Sequence, residues 1–282
     1  MKLARFECDG RIDLGVVIEG GVIGLHEVGF GFSEMTALIT AGSEVLDGIR
    51  QRTASAEPRH ALDEVRLLAP LRPGKYLAIG MNYAKHVAEM GHAERPQHQY
   101  WFNKQTTCIN GPFDPIDPGV TEMLDYEVEL GVVIGRTAKG VSAAAALGQV
   151  FGYLVANDVS ARDWQRHSPT FTMGKSFDTH GPIGPWIVTA DEIPDPQALA
   201  LRCLVNGEVR QQSSTADMSF SVAEQIEYLS TAFTLEPGDL LATGTPEGVG
   251  AAMDPPGFLR SGDRVRCEID GIGAIENRVL GG

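Results

Sequence analysis

Apolar positions in this chain come in short runs broken by glycine, and only a few stretches space them as a helix would. Arg11–Glu19 and Val22–Val28 read as two strands joined at Gly20-Gly21, a dipeptide suited to a tight turn. Ser43 then caps a helical stretch in which Val45, Leu46 and Ile49 share one face. The small, polar, non-periodic segment Thr53–Pro58 reads as a linker. Beyond Pro73-Gly74 the strand candidates are Tyr76–Met81, Asp125–Ile134, Phe151–Ala156 and Trp186–Thr189, rich in β-branched and aromatic residues. Asn206-Gly207 between Leu201–Val205 and Glu208–Gln212 signals a hairpin. Ser221–Phe233 is the clearest helix, with Val222, Ile226, Leu229 and Phe233 at helical spacing. Arg264–Ile269 and Ala274–Leu280 close the chain as strands around Asp270-Gly271. The pattern predicts a mixed α+β chain, mainly β, with a small α+β unit at 1–68 and a larger one at 69–282.

Composition narrows the class. Of 282 residues, 43% are hydrophobic and 21% charged, ordinary for a chain that buries a core. A net charge of −14 argues against binding nucleic acid, which needs basic surface to neutralise phosphates. An anionic small molecule stays open, because a bound cation inverts the field inside one pocket. Cys8, Cys108, Cys203 and Cys267 form no C-x-x-C pair and lie near no histidine at zinc spacing, so inert thiols in a reducing, cytoplasmic setting are expected. Neither a signal-peptide core nor an apolar run of about 20 residues is present, so no membrane association is expected.

The most informative line is Leu124-Asp-Tyr-Glu-Val-Glu-Leu-Gly-Val-Val-Ile-Gly135. Strand alternation sends Tyr126, Val128 and Leu130 to one face, and Glu127 and Glu129 to the other. Neighbouring carboxylates on one face repel unless water or a cation intervenes. A solvated strand face is one reading of the pair. A third carboxylate, Asp158, ends the apolar run Phe151–Ala156, where it is either a turn-former or helix cap, or a partner of the pair. Together the three would suit an octahedral oxygen site for Mg²⁺ or Mn²⁺.

With its neighbours, this set resembles the fumarylacetoacetate hydrolase family. The residues that carry the resemblance are Glu127-x-Glu129 and Asp158, Gly80-Met-Asn-Tyr-Ala-Lys-His86, Asn157-Asp-Val-Ser-Ala-Arg-Asp163, Gly174-Lys-Ser176, Gly181-Pro-x-Gly-Pro185 and Gly244-Thr-Pro-x-Gly248. They recur in order from about residue 70, over roughly three-quarters of the chain. The resemblance implies a rolled mixed β-sandwich with a small N-terminal domain, usually a homodimer. It also implies Glu127, Glu129 and Asp158 as ligands of Mg²⁺ or Mn²⁺. Leu77-Ala-Ile-Gly80 lacks the further metal-binding carboxylate of some members, which places the chain with the three-carboxylate, acylpyruvase-like branch.

Other groups gain meaning from that comparison. His86 and Glu89 are three apart on a short predicted helix between Asn82, a candidate cap, and Gly91. The pair is either a surface ion pair or a base with its orienter. Family hydrolases carry such a dyad on a lid over the substrate. Arg162 and Gln165 follow Asp158 closely enough to share its side, one as a carboxylate clamp and the other as an oxyanion donor, or both as ordinary surface groups. By resemblance Lys175 is an active-site lysine and Thr245 touches the substrate carboxylate. His167 and His180 are too loosely placed to be ligands. Gly244–Gly250 lacks the lysine of a phosphate loop, and no serine sits in a nucleophile elbow.

These residues lead to hydrolysis of a C–C bond in a 2,4-dioxo acid of acylpyruvate or fumarylpyruvate type, releasing pyruvate or a related 2-oxo acid. The alternative is a lyase or isomerase on the same scaffold: oxaloacetate decarboxylation, or hydration or tautomerisation of an unsaturated 2-oxo diacid. The end of the pocket that takes the acyl group is expected from Met90–Phe102, Ser168–Met173 or Met253–Phe258.

Overall fold

The computed structural model describes residues 1–91 and 94–281. The first third of the chain runs β1 (Lys2–Cys8), β2 (Arg11–Ile18), β3 (Gly21–Gly24), α1 (Met35–Thr40), α2 (Ser43–Thr53), β4 (Arg66–Leu68), β5 (Tyr76–Gly80) and α3 (Ala84–Glu89). Next come β6 (Tyr100–Lys104), β7 (Ile109–Asn110), β8 (Leu124–Asp125), β9 (Val128–Ile134), α4 (Ala143–Ala146), β10 (Val150–Asn157), β11 (Ser160–Ala161), α5 (Arg162–Gln165) and β12 (Gly181–Thr189). The chain ends with β13 (Ala200–Val205), β14 (Glu208–Ser214), α6 (Val222–Ala232), β15 (Leu240–Ala242), β16 (Arg264–Ile269) and β17 (Gly273–Arg278).

Among the described residues, eleven strands form one mixed sheet with the path β3-β2-β1-β12-β10-β9-β15-β5-β6, β4 joining β1 and β7 joining β12. A four-stranded sheet, β14-β13-β16-β17, packs over β9, β10 and β12. Between them lies a core of Val128, Leu130, Val132, Tyr153 and Val155 against Leu201, Val265 and Ile275, closed by Val222, Ile226 and Leu229 of α6. The opposite face of the large sheet buries Val133, Leu154 and Ala156 against Leu38 and Ile49 of α1 and α2. Strand β9 is thus covered on both sides, which is why its sequence is almost unbroken in apolar residues. The architecture is the mainly β, mixed α+β sandwich expected. Residues 1–68 join it directly, since β1 pairs antiparallel with β12.

Several local expectations change. Gly42, at φ 87°, precedes α2 as its cap and Ser43 is the first helical residue, with no side-chain capping bond. Tyr83 caps α3; the Asn82 side chain instead bonds Phe220 and Thr243. The run Asp125–Ile134 is interrupted at Tyr126-Glu127, and β8 pairs with β11 rather than continuing β9. By contrast, Ser221 forms the full capping box of α6 with Glu224, and Asn206 and Gly207 take the positive φ values of a tight hairpin turn.

Candidate active site

Antiparallel register brings the carboxylates together. Asn157 of β10 lies opposite Val128 of β9, so the next residue, Asp158, comes to rest across from Glu127. Its N–H donates to the Glu127 carbonyl at 2.9 Å. Glu127 and Glu129 share the face opposite Tyr126, Val128 and Leu130, as alternation requires. The three carboxylates are buried, with one oxygen from each within 4.8 Å of the others.

Cations surround two of the three. Lys175 Nζ donates to Glu127 Oε2 at 2.7 Å and to Asp158 Oδ2 at 2.8 Å. Lys104 pairs with Asp158 Oδ1 and donates to the His180 carbonyl at 3.0 Å. Arg162 Nη2 stands 2.7 Å from Glu127 Oε1, and its Nε donates to Asp125 at 2.8 Å. Burial pushes the Glu127 carboxyl up, but Lys175 and Arg162 outweigh that and hold it below the usual carboxylate range. Among the described residues Glu129 has no cationic contact and accepts only the Gly244 N–H, at 2.8 Å. Burial, with the charges of Asp158 and Glu127, pushes its carboxyl well above the usual range. Among the described residues, Asp125, Glu127, Glu129 and Asp158 are paired with Lys104, Arg162 and Lys175 alone. An oxygen-only donor set with one carboxylate lacking a counter-charge fits a hard divalent cation, which Glu127, Glu129 and Asp158 would hold.

Of the remaining candidates, His86, Arg162, Gln165, Lys175 and Thr245 line a cavity of about 90 Å³ with Glu127, Glu129, Met81, Met90, Phe102 and Phe171, and Glu89 stands behind His86. His86 is buried on α3, and Glu89 Oε1 lies 2.7 Å from its Nδ1. A carboxylate acceptor there fixes the proton on Nδ1 and leaves Nε2 as the free base. The second Glu89 oxygen accepts the Gly248 N–H at 2.9 Å, tying α3 to the Gly244–Gly248 loop. Gln165 Oε1 accepts from Arg162 Nη1 at 3.0 Å, which leaves its amide N–H groups for the cavity. Gly174 is needed where α5 packs against the lysine-bearing turn: a Cβ there would lie 2.2 Å from Gln165 N. The Thr245 hydroxyl donates to the Val128 carbonyl and accepts from Gln211, so what it offers a ligand is its main chain. Met90 and Phe102 come from one expected acyl segment and Phe171 from another; none of Met253–Phe258 lines this cavity. His92 and Ala93, inside Met90–Phe102, lie outside the described residues.

Two buried ionic residues escaped sequence reasoning. Lys104 finds its partner 54 residues away. Asp125 orients Arg162 and accepts the N–H groups of Gly250 and Ala251 at 2.8 and 2.9 Å. The visible clue was a charge directly abutting an apolar strand, which alone names no partner. His180 is structural: burial beside Lys104 lowers its ring to about 4, and Nε2 donates to the Asp117 carbonyl at 3.0 Å.

Comparison with known proteins identifies the family. The fumarylacetoacetate (FAA) hydrolase C-terminal family matches residues 75–280. Oxaloacetate tautomerase FAHD2A, mitochondrial, from Bos taurus is 43% identical over 289 residues, covering 99% of this chain and 92% of that protein. The fumarylacetoacetate hydrolase of psychrophilic Exiguobacterium antarcticum superposes with a TM-score of 0.87 at 40% identity, over 100% of both chains. The maleylpyruvate hydrolase of Sphingobium sp. SYK-6, in complex with manganese(II) and pyruvate, does so at 0.83 and 32%, again over 100% of both. This chain is a member of the fumarylacetoacetate hydrolase family.

Proposed function

We propose that the protein moves a proton between carbon and oxygen of a small 2-oxo dicarboxylic acid, interconverting the keto and enol forms of an oxaloacetate-type substrate. The observation that carries this reading is His86, held by Glu89, lining a cavity of only about 90 Å³ together with Lys175, Glu127 and Glu129. Such a space suits a four-carbon diacid better than a longer acylpyruvate. The bovine relative, named an oxaloacetate tautomerase, adds independent support at 43% identity over 99% of this chain.

Glu127, Glu129 and Asp158 would hold Mg²⁺ or Mn²⁺, which supplies Lewis-acid polarisation of the 2-oxo group. His86, held by Glu89, removes a proton from C3 through Nε2. The Lys175 ammonium and the Gln165 amide stabilise negative charge developing on the C2 oxygen, and Arg162 orients a substrate carboxylate. The imidazolium returns the proton to that oxygen, and the reverse sequence converts enol to keto. No water is consumed.

A second reading keeps its place because the same dyad can deprotonate water. C–C hydrolysis of a dioxo acid is then the outcome, as the name of the Sphingobium enzyme indicates for that protein. Metal-stripped protein, reloaded with Mg²⁺ or Mn²⁺, should be assayed for loss of enol absorbance with oxaloacetate and for pyruvate release from acetylpyruvate and maleylpyruvate. Metal-dependent ketonisation without pyruvate release supports the tautomerase. Pyruvate from a dioxo acid with an uncatalysed enol signal overturns it in favour of the hydrolase.

A further inference from the structure

A second cavity, of about 610 Å³, opens between β1, β4 and the Thr106–Cys108 turn, and it shares no lining residue with the carboxylate site. Three guanidiniums reach it. That of Arg66 is neutralised by Glu7 at 3.5 Å and Asp114 at 2.8 Å. Those of Arg5 and Arg72 are not: among the described residues neither has a carboxylate within 4.0 Å. Arg5 Nε is buried without a hydrogen-bond partner, a costly state for a charged donor. Its position is fixed, because Arg5 sits inside β1 between Leu14 and Leu68 of the neighbouring strands. Burial and the charge of Arg72 disfavour the Arg5 cation, and the more distant Glu34 offsets only part of that. Thr106 and Thr107 are exposed beside it, and among the described residues neither hydroxyl has an internal partner.

We propose that this cavity binds a small dianion, gripped by the guanidiniums of Arg5 and Arg72 and hydrogen-bonded by Thr106 and Thr107. Paired guanidiniums offer forked N–H donors to carboxylate or phosphate oxygens, and a doubly charged ligand offsets their mutual repulsion. In a chain of net charge −14, two adjacent arginines with no carboxylate at ion-pair distance among the described residues run against the surrounding surface potential. The site is independent of the reaction assigned to the carboxylate cluster.

The test is calorimetric titration of the Mg²⁺-loaded full-length protein with inorganic phosphate and, separately, with succinate, which lacks the 2-oxo group. A saturable site is expected that is weakened at least tenfold in Arg72→Ala and Arg5→Gln and kept in Lys175→Ala; a second site lost in Lys175→Ala belongs to the carboxylate cavity. Arg72→Glu, at an exposed position, should abolish binding even if the Arg5 variant folds poorly. Saturation by phosphate alone identifies a phosphate-bearing ligand; saturation by succinate, alone or with phosphate, identifies a dicarboxylate. The proposal is overturned if neither probe saturates, if both Arg72 variants bind like wild type, or if Lys175→Ala abolishes binding.

Discussion

Glu129 is the residue on which the metal-free and metal-loaded states should differ most. Its raised carboxyl pKa means that the folded chain holds a proton there which the unfolded chain releases near the ordinary value of 4.5. Stability of metal-stripped protein should therefore fall as pH rises from about 4.5 through the raised value. Glu127, held low, acts only below about 4.5, with the opposite slope. Glu129→Gln should flatten the upper slope and raise the metal-free melting temperature, reflecting relief of about 1–3 kcal/mol. The same variant should lose the melting shift that Mn²⁺ gives wild type; equal melting of the two metal-free proteins would count against the charge argument. His86→Ala should lower kcat about a hundred- to ten-thousand-fold while keeping the Mn²⁺-induced shift, because the ring touches no carboxylate of the triad. Glu89→Gln should cost about 10–100-fold, as loss of an orienting group does. Steady-state kinetics beside melting curves would separate these cases.

At this scale much of the site was legible. Glu127 and Glu129 could be placed on one face because alternation depends only on neighbours in sequence. Lys104 and Asp125 could not, since burial of an ion is justified only by partners 54 and 37 residues away.

Among the elements, legibility followed amphipathicity. Helix α6 and the β13–β14 hairpin carry local signals, a capping box and an Asn-Gly turn, and they form where those signals lie. Strand β1 carries one as well, the Asp9-Gly10 turn at positive φ, which was passed over. Its alternation is short: Ala4 and Phe6 enter one core between Arg5 and Glu7, while Leu3 on the other face enters a second core. The interruption after β8 was hidden, because Asp125 leaves the expected strand to serve Arg162 and the Gly250-Ala251 turn. An element-level test is Gly174→Ala. The added methyl meets backbone at 2.2 Å, so the turn carrying Lys175 must move, at a cost of about 1–3 kcal/mol. Lower kcat together with a lower melting temperature is expected; a variant with unchanged kcat would show that the placement of Lys175 tolerates that movement.

For the whole molecule, β1 and β12 share one ladder across the division expected at residues 68 and 69. We propose that residues 1–68 are required for folding of the remainder. A chain beginning at residue 69 leaves the β12 edge open and should aggregate, as size-exclusion chromatography would reveal. A monodisperse, folded truncation would refute this. We also propose the homodimer usual for this family, which light scattering of the purified protein would test. Among the described residues no helix is long and apolar enough to cross a membrane.

The two oxygens of Glu89 answer to different masters, one to the imidazole of His86 and one to the Gly248 N–H that ties α3 to the loop beyond β15. If His86 takes up the substrate proton as proposed, the charge it gains faces a carboxylate that the Gly248 N–H already braces. The base is then kept in register by the loop beyond β15 as well as by its own helix.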